Sequence, residues 1–221
     1  RSSNLMTVNR VWHDTHDLLD RIIAQNFMQK TGRFLGIGAN IGKDWAWPLA
    51  SNGWNGVYVE PDPSACSQLV KNCTPFADKI KIVNCAVSET GGLQTFFCSL
   101  KSNYNSSLNK KWLDKFVKLN HSQDNDDAEH IRPILTNTIA FADLINAVGT
   151  DFRIIVIDTE GTDEEIVRST DWSQFRECEL VCIEHEFMEI EPHLSVIDHL
   201  QRHGFRFTDQ DHCHAIYRRT I

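Results

Sequence analysis

The chain has 221 residues, 41% of them hydrophobic, which is enough for one sizeable core and predicts a single domain. Its formal net charge of -8 argues against tight, sequence-independent binding of nucleic acid, whose phosphates need a basic surface. No apolar run approaches the roughly 20 residues of a membrane span, and no segment has the residue order of a signal peptide.

Seven cysteines, an odd number without a Cys-x-x-Cys pair, predict reduced thiols and a cytoplasmic protein. Because the first residue is Arg1 instead of methionine, we expect the chain to be part of a longer polypeptide, with flanking domains in the full-length protein. Apolar residues recur at helical spacing from Val11 to Phe27. We therefore expect residues 1–32 to form an N-terminal helical segment and residues 33–221 to form the main domain.

The first half of the main domain predicts alternating strands and helices. RFLGIG indicates a buried strand, a helix is expected to begin near Gly42, and GVYVE indicates a second strand that ends in Glu60. PDPSACSQLVKNC has the Pro and Ser of a helix start, and KIKIVNCAV indicates a third strand. This βαβαβ order predicts a parallel, doubly wound sheet.

In the second half of the main domain, an extra strand and a polar segment interrupt the alternation of strands and helices. GGLQTFFCSL predicts an extra strand, and residues 101–130 are polar, so we expect a lid or loop there with one short helix near Trp112 to Leu119. FRIIVID and CELVCIEH then indicate strands, each followed by a helical stretch. FRFTDQ and HCHAIYRR predict a closing antiparallel hairpin.

The stretch FLGIGANIG, Phe34 to Gly42, predicts a turn that lets a ligand approach bare backbone. Glu60 ends the next strand 18 residues after Gly42, where a carboxylate can accept both hydroxyls of a ribose. Together they suggest a nucleoside-containing cofactor, either S-adenosylmethionine (SAM) or a nicotinamide dinucleotide. The alternative is a turn that only packs a helix on a strand.

Five blocks of the sequence resemble the FkbM family of SAM-dependent methyltransferases. In chain order they are GANIG (38–42), VEPDP (59–63), NCAVSETGG (84–92), IDTEGTDEEIV (157–167) and CIEHE (182–186). The resemblance extends from about Phe34 to the C-terminus. It implies a Rossmann-like class I SAM-dependent methyltransferase fold of the α/β class, with a seven-stranded, mostly parallel sheet and a C-terminal antiparallel hairpin.

The resemblance also implies roles for individual residues. The methionine part of SAM would lie on the turn, the ribose on Glu60, and the adenine edge near Cys85. The full implied cofactor set is Gly36, Gly38, Ala39, Asn40, Gly42, Glu60, Pro61, Cys85 and Ala86. The chain departs from the family at Gly36, where an acidic residue is usual, and at Val156, where a lysine is common.

Candidate catalytic residues gather at the predicted strand ends facing the turn. We expect Asp158 or His185 to act as the general base, with Glu160 and Glu184 orienting the substrate or the base. The alternative for Asp158 is a helix cap. Carboxylates grouped with His185 also suit a divalent cation such as Mg²⁺. The later histidines, including His212 and His214, are expected at surface or sheet positions.

We therefore expect a SAM-dependent O-methyltransferase that acts on a hydroxyl. Family members often methylate sugars, and Tyr104, Trp112 and Phe116 in the polar loop suit stacking on a sugar face, so a sugar or glycan is the expected acceptor rather than nucleic acid. The alternatives are a non-sugar small-molecule acceptor, a non-catalytic SAM-fold binding module and a nicotinamide-dependent oxidoreductase.

Overall fold

The structure, a computed structural model, describes residues 17–100, 105–120 and 131–220. Seven helices lie in these ranges: α1 (Asp17–Asn26), α2 (Trp47–Ser51), α3 (Pro63–Asn72), α4 (Lys110–Asn120), α5 (Phe141–Val148), α6 (Asp163–Arg168) and α7 (Ile190–Arg202). The strands are β1 (Arg33–Ile37), β2 (Asn55–Val59), β3 (Ile80–Val83), β4 (Ala86–Ser88), β5 (Gly92–Ser99), β6 (Ile131–Ala140), β7 (Ile154–Ile157), β8 (Leu180–Glu184), β9 (Phe205–Gln210) and β10 (His214–Arg219).

The main sheet has seven strands in the order β3-β2-β1-β7-β8-β10-β9. β1, β2, β3, β7 and β8 pair in parallel, whereas β10 runs antiparallel to both β8 and β9. The predicted α/β fold is therefore confirmed, including the Rossmann-like parallel sheet and the C-terminal antiparallel hairpin. The strand order reverses at β1, so the carboxyl ends of β1 and β7 border the crevice where open α/β sheets bind ligands.

A second, three-stranded sheet in the order β4-β6-β5 was not predicted. β5 pairs with β6 antiparallel over eight residue pairs, and β4 adds to β6 in parallel. The alternation in GGLQTFFCSL predicts a strand, but 31 residues (100–130), which include the polar segment, separate the end of β5 from the start of its partner strand. A pairing over such a separation leaves no local signal in the sequence.

Hydrophobic side chains fill both faces of the main sheet, because neighbouring residues of a buried parallel strand point to opposite faces. In β1, Leu35 and Ile37 belong to the cluster beneath α5, α6 and α7, whereas Phe34 belongs to the cluster beneath α1, α2 and α3. All three side chains are buried. The two-sided core fixes β1, and with it the glycine turn that follows.

Several local expectations differ from the structure. α2 begins at Trp47, not near Gly42, with Pro48 in its first turn, where a proline costs no hydrogen bond. Of the helix expected before β1, the structure describes Asp17–Asn26, and residues 1–16 lie outside the described ranges. α4 lies in the polar segment, whose residues 101–104 and 121–130 are likewise outside. No helix in the described part of the chain has the length and apolarity to cross a membrane.

Candidate active site

The glycine turn folds tightly over the carboxyl ends of β1 and β2. Gly38 and Ala39 donate their backbone N–H groups to the carbonyl oxygen of Val59, at 2.9 and 3.1 Å. Gly38 has a φ of 77°, and a Cβ built there would lie 1.6 Å from the backbone oxygen of Asp158. Only glycine fits this position, and it brings the turn against the end of β7.

Glu60 ties the end of β2 to the glycine turn. Its two carboxylate oxygens accept hydrogen bonds from the backbone N–H groups of Asn40 and Asp62, both at 2.7 Å. Burial raises the pKa of Glu60 to about 7, partly offset by these two bonds. Because a carboxylate has about four lone-pair sites, two remain for hydroxyl groups of a ligand.

The remaining residues of the predicted cofactor set follow β2 and β3. Cys85 and Ala86 are buried, Pro61 is half-buried, and Asn84 donates its amide to the Glu60 carbonyl at 2.8 Å. Burial raises the pKa of the Cys85 thiol to about 11, so it presents a neutral, weakly polar surface at neutral pH.

Gly36 differs from the other members of the predicted cofactor set. It lies within β1, and a Cβ built there would contact the rings of Tyr58 at 3.0 Å and Trp45 at 3.2 Å. The space that a side chain would occupy is thus filled by aromatic rings.

The turn contains a polar atom that lacks a partner. Asn40 has a φ of 48°, in the left-handed region that asparagine tolerates better than most residues. Its side-chain Oδ1 is buried and has no hydrogen-bond partner among the described residues. Since unpaired buried acceptors cost free energy, this atom fits a ligand that donates a hydrogen bond. The turn and Glu60 therefore fit a cofactor with a ribose and polar groups beyond it.

Three predicted catalytic carboxylates come together at the ends of β7 and β8. Asp158, Glu160 and Glu184 each offer an oxygen within 4.8 Å of the others, whereas His185 is not part of this group. Burial, followed by the neighbouring carboxylates, raises the pKa of Glu160 and of Glu184 well above the usual range. Hard oxygen donors in this arrangement can hold a divalent cation or share protons.

Glu184 and a fourth acid, Asp163, accept hydrogen bonds from different backbone N–H groups of the loop after β7. Glu160 has a φ of 58°, a conformation that costs free energy for a residue other than glycine, and its N–H donates to Glu184 Oε2 at 3.1 Å. Asp163 accepts from the N–H groups of Thr159 and Gly161 at 2.9 and 3.1 Å. Asp163 thus holds the loop before α6, while the N-cap position of that helix is Thr162 and not Asp158.

The sequence did not identify His214 as part of this site. The residue is 2% exposed on β10, with Nε2 3.5 Å from Asp158 Oδ2 and Nδ1 3.7 Å from Asp211 Oδ1. Burial would lower the pKa of His214, but the two carboxylates raise it to about 10, so the imidazole is charged at neutral pH. The predicted C-terminal hairpin is the sequence feature that could have indicated His214. Its strand β10 pairs with β8, and His214 is the register partner of Glu184.

A cavity of about 270 Å³ lies between α4 and the loop from β8 to α7. His185 lines it, and its Nε2 is buried without a hydrogen-bond partner in the described part of the chain. Burial is the main cause that lowers the pKa of His185, so the ring is neutral at pH 7 and can accept a proton. Glu184, Glu186 and Lys111 also contribute to the cavity wall.

Aromatic residues of α4 form a small cluster above the cavity. Trp112 stacks on Phe116 at 5.5 Å and meets Phe187 edge-on at 5.5 Å. Trp112 is 8% exposed and Phe116 is 4% exposed. The two rings pack on each other, and Trp112 also lines the cavity, so stacking on a sugar face stays a prediction. Tyr104 lies outside the described residues.

The parallel sheet with its antiparallel hairpin, together with the turn and acid that follow β1 and β2, is the arrangement that the sequence resemblance implied. Residues 36–207 match the methyltransferase FkbM domain, and the chain belongs to that family. This confirms the family that the five sequence blocks indicate. A comparison with curated proteins found no match.

Solved structures share the fold at low sequence identity. Monomeric WbdD superposes with a TM-score of 0.51 and 11% identity, over 95% of this chain and 42% of that chain. Precorrin-6y C5,15-methyltransferase from Geobacter metallireducens GS-15 gives 0.49 and 11%, over 91% and 86%. Magnesium protoporphyrin IX methyltransferase (ChlM) from Synechocystis PCC 6803, with bound SAM, gives 0.47 and 9%, over 91% and 76%.

Proposed function

We propose that this domain transfers the methyl group of SAM to a hydroxyl of a saccharide, with His185 as the general base. The observation that carries the proposal is the cavity beside the end of β8 and the loop after β7, which the neutral, partly buried His185 lines. Membership of a methyltransferase family supports methyl transfer and argues against the alternative of a nicotinamide-dependent oxidoreductase.

SAM would lie across the carboxyl ends of β1 and β2. Glu60 would accept the ribose hydroxyls, Cys85 and Ala86 would border the adenine, and Asn40 would gain a donor for its unpaired oxygen. SAM supplies an activated methyl on a sulfonium, so the protein's main contribution is to position the acceptor and to remove its proton. An acidic crevice is compatible with a positively charged cofactor.

His185 is favoured over Asp158 as the base. Asp158 already lies 3.5 Å from the charged imidazole of His214, so one of its carboxylate oxygens is engaged within the protein. His185 Nε2 has no such partner among the described residues. Glu160 and Glu184 then orient the loop beside the reacting hydroxyl.

The cavity favours a small hydroxylated acceptor. Its volume of about 270 Å³ is at the lower end of ligand pockets, which run from roughly 300 Å³ upwards. Asn109, Lys111 and Glu186 offer both donors and acceptors along the wall. These features support one sugar ring, terminal on a glycan or free, over a nucleic acid; a non-sugar hydroxylated molecule is the competing acceptor.

Two further parts of the proposal concern metal and location. Asp158, Glu160 and Glu184 are the residues that would hold Mg²⁺ if the reaction uses it, and activity after dialysis against EDTA, with and without added Mg²⁺, tests this. All seven cysteines are free and buried, which supports a reducing compartment such as the cytoplasm.

The first test is a methyl-transfer assay with labelled SAM and a panel of monosaccharides, glycans and non-sugar alcohols. We expect label on a sugar hydroxyl, and His185→Asn should lower turnover by about 10²–10⁴-fold without changing affinity for S-adenosylhomocysteine (SAH). Asp158→Asn is the matched comparison, and a larger loss there would transfer the base role to it. SAM binding without transfer to any acceptor would instead favour the non-catalytic module.

A further inference from the structure

We infer that Asp44 binds the α-ammonium group of the cofactor's amino-acid part, which makes it a cofactor residue that the glycine turn alone does not reveal. The inference rests on the proposed use of SAM. It follows from the position of Asp44, from the charges around it and from the way in which its carboxylate is held.

Asp44 lies two residues beyond the glycine turn, between β1 and α2. Glu60 marks the ribose end, over β2, while the electrostatic neighbours of Asp44 include Asp158 at the end of β7. A cofactor whose ribose is held at β2 and whose tail runs towards β7 passes over β1. Asp44 belongs to the segment that connects β1 to α2, directly beside that path.

The carboxylate is oriented by neighbours that fix one of its oxygens. Asp44 Oδ1 accepts from the Ala46 N–H at 3.2 Å and from the Tyr58 hydroxyl at 3.5 Å. Tyr58 can reach this position because Gly36, its register partner on β1, has no side chain beneath the ring. Burial is the main cause that raises the pKa of Tyr58, so the hydroxyl keeps its proton and donates it.

The surroundings of Asp44 are acidic and buried. The charged side chains that affect it most are Asp20 on α1 and Asp158, and both raise its pKa. Cys73 at the end of α3 also faces it as a neutral thiol, since burial raises the pKa of that thiol to about 11. Burial brings the pKa of Asp44 itself to about 7.

A half-buried carboxylate with acidic neighbours gains most from a ligand that carries a positive charge. The α-ammonium of SAM and of SAH is such a group, and it is attached to the part of the cofactor that must extend past β1. An ammonium also donates up to three hydrogen bonds, so Asn40 Oδ1 on the same turn is a second acceptor within the crevice. Asp44 then takes its charged form in the complex.

Calorimetry with three ligands tests the inference without an activity assay. The ligands are SAH, an SAH analogue that lacks only the α-amino group (deamino-SAH), and methylthioadenosine, which lacks the whole amino-acid part. For the unmodified domain we expect SAH to bind about ten- to hundredfold more tightly than deamino-SAH. Asp44→Asn should remove most of this difference while methylthioadenosine binds as before.

Asp78→Asn is the matched control, because Asp78 is an exposed aspartate before β3, at the opposite edge of the sheet. It should leave all three affinities unchanged. Equal weakening of SAH and methylthioadenosine by Asp44→Asn would overturn the inference and make Asp44 a structural residue of the turn. An unchanged SAH preference would overturn it as well. If the unmodified domain bound none of the three ligands, the proposed cofactor itself would be wrong.

Discussion

At the scale of single residues, the acid-rich site depends on one buried cation. Asp158 and Asp211 approach His214 from opposite sides of its ring, at 3.5 and 3.7 Å, while Glu160 and Glu184, whose raised pKa favours the protonated form, lie beside Asp158. A buried charge is tolerated when it is paired, and here the pairing works in both directions. His214 thereby holds the Asp158 side chain in place next to the glycine turn.

His214→Asn should therefore destabilise the domain strongly. Removal of one partner of a buried ion pair leaves uncompensated charge and costs about 3 to 5 kcal/mol in free energy of unfolding. Urea unfolding followed by circular dichroism measures this loss. His212→Asn is the matched control, since His212 is two residues away and 65% exposed, and its 3.4 Å contact with Glu186 is a surface ion pair worth at most about 1 kcal/mol. Equal effects of the two variants would contradict the assigned role.

At this scale, a site residue can be recognised in the sequence when it belongs to a local backbone pattern. Gly38 and Glu60 are recognisable because a turn and a strand-end acid have local signatures, and the structure joins them through the Asn40 N–H. His214 and Asp44 have no such signature. Each becomes significant only through partners far along the chain, Asp158 for His214 and Tyr58 for Asp44.

At the scale of elements, α4 connects the polar segment to the site. Ser107 donates to the Glu160 carbonyl at 2.5 Å and Asn109 donates to the Gly161 carbonyl at 2.9 Å, just before the helix begins. Trp112 then packs over Gly161, where a Cβ would lie 2.6 Å from the indole. The helix and the loop after β7 thus share one contact surface, and both border the cavity that we propose for the acceptor.

Trp112→Ala should loosen α4 while the cofactor crevice remains intact. Loss of a buried tryptophan typically costs about 3 to 5 kcal/mol, and here the loss falls on the small cluster with Phe116 and Phe187. Hydrogen exchange should accelerate in α4, and the acceptor KM should rise, while SAH affinity stays within about twofold, because neither α4 nor this cluster contributes a proposed cofactor residue. Trp112→Phe, which keeps a ring, is the milder control. Weakened SAH binding without faster hydrogen exchange in α4 would contradict the prediction that Trp112 stabilises α4 and not the cofactor crevice.

At the scale of the whole molecule, the sheet was predictable from sequence and the second sheet was not. Alternating buried strands and helices dictate a parallel sheet through short local patterns, and the closing hairpin is marked by its turn. The pairing of β5 with β6 depends on contacts across a long polar segment, which periodicity cannot reveal. The acceptor cavity depends on α4, a helix within that same segment, so the sequence predicted the helix but not its position over the site.

Buried acids couple the stability of the whole domain to pH. Burial raises the pKa of Asp44 and Glu60 to about 7 and that of Asp163 to about 6. For a carboxyl whose pKa is higher in the folded than in the unfolded state, the folded state binds more protons between the two pKa values. Its contribution to stability is complete below the unfolded value near 4 and is lost as pH rises through the folded value. The net charge of -8 acts in the same direction, because added negative charge increases self-repulsion.

The ligand-free domain should therefore melt at progressively lower temperature between pH 5 and pH 8. SAH should reverse part of this loss, because its hydroxyl and ammonium groups favour the ionised forms of Glu60 and Asp44, so the melting shift produced by SAH should increase from pH 6 to pH 8. Differential scanning fluorimetry across this range measures both trends. Glu60→Gln should flatten the pH dependence of the ligand-free domain and reduce SAH affinity about tenfold or more, because an amide accepts fewer hydrogen bonds from ribose hydroxyls and carries no charge. A melting temperature that is constant or rises from pH 5 to pH 8 would show that these carboxyls are already ionised in the folded protein, and that burial in the crevice is weaker than their positions indicate.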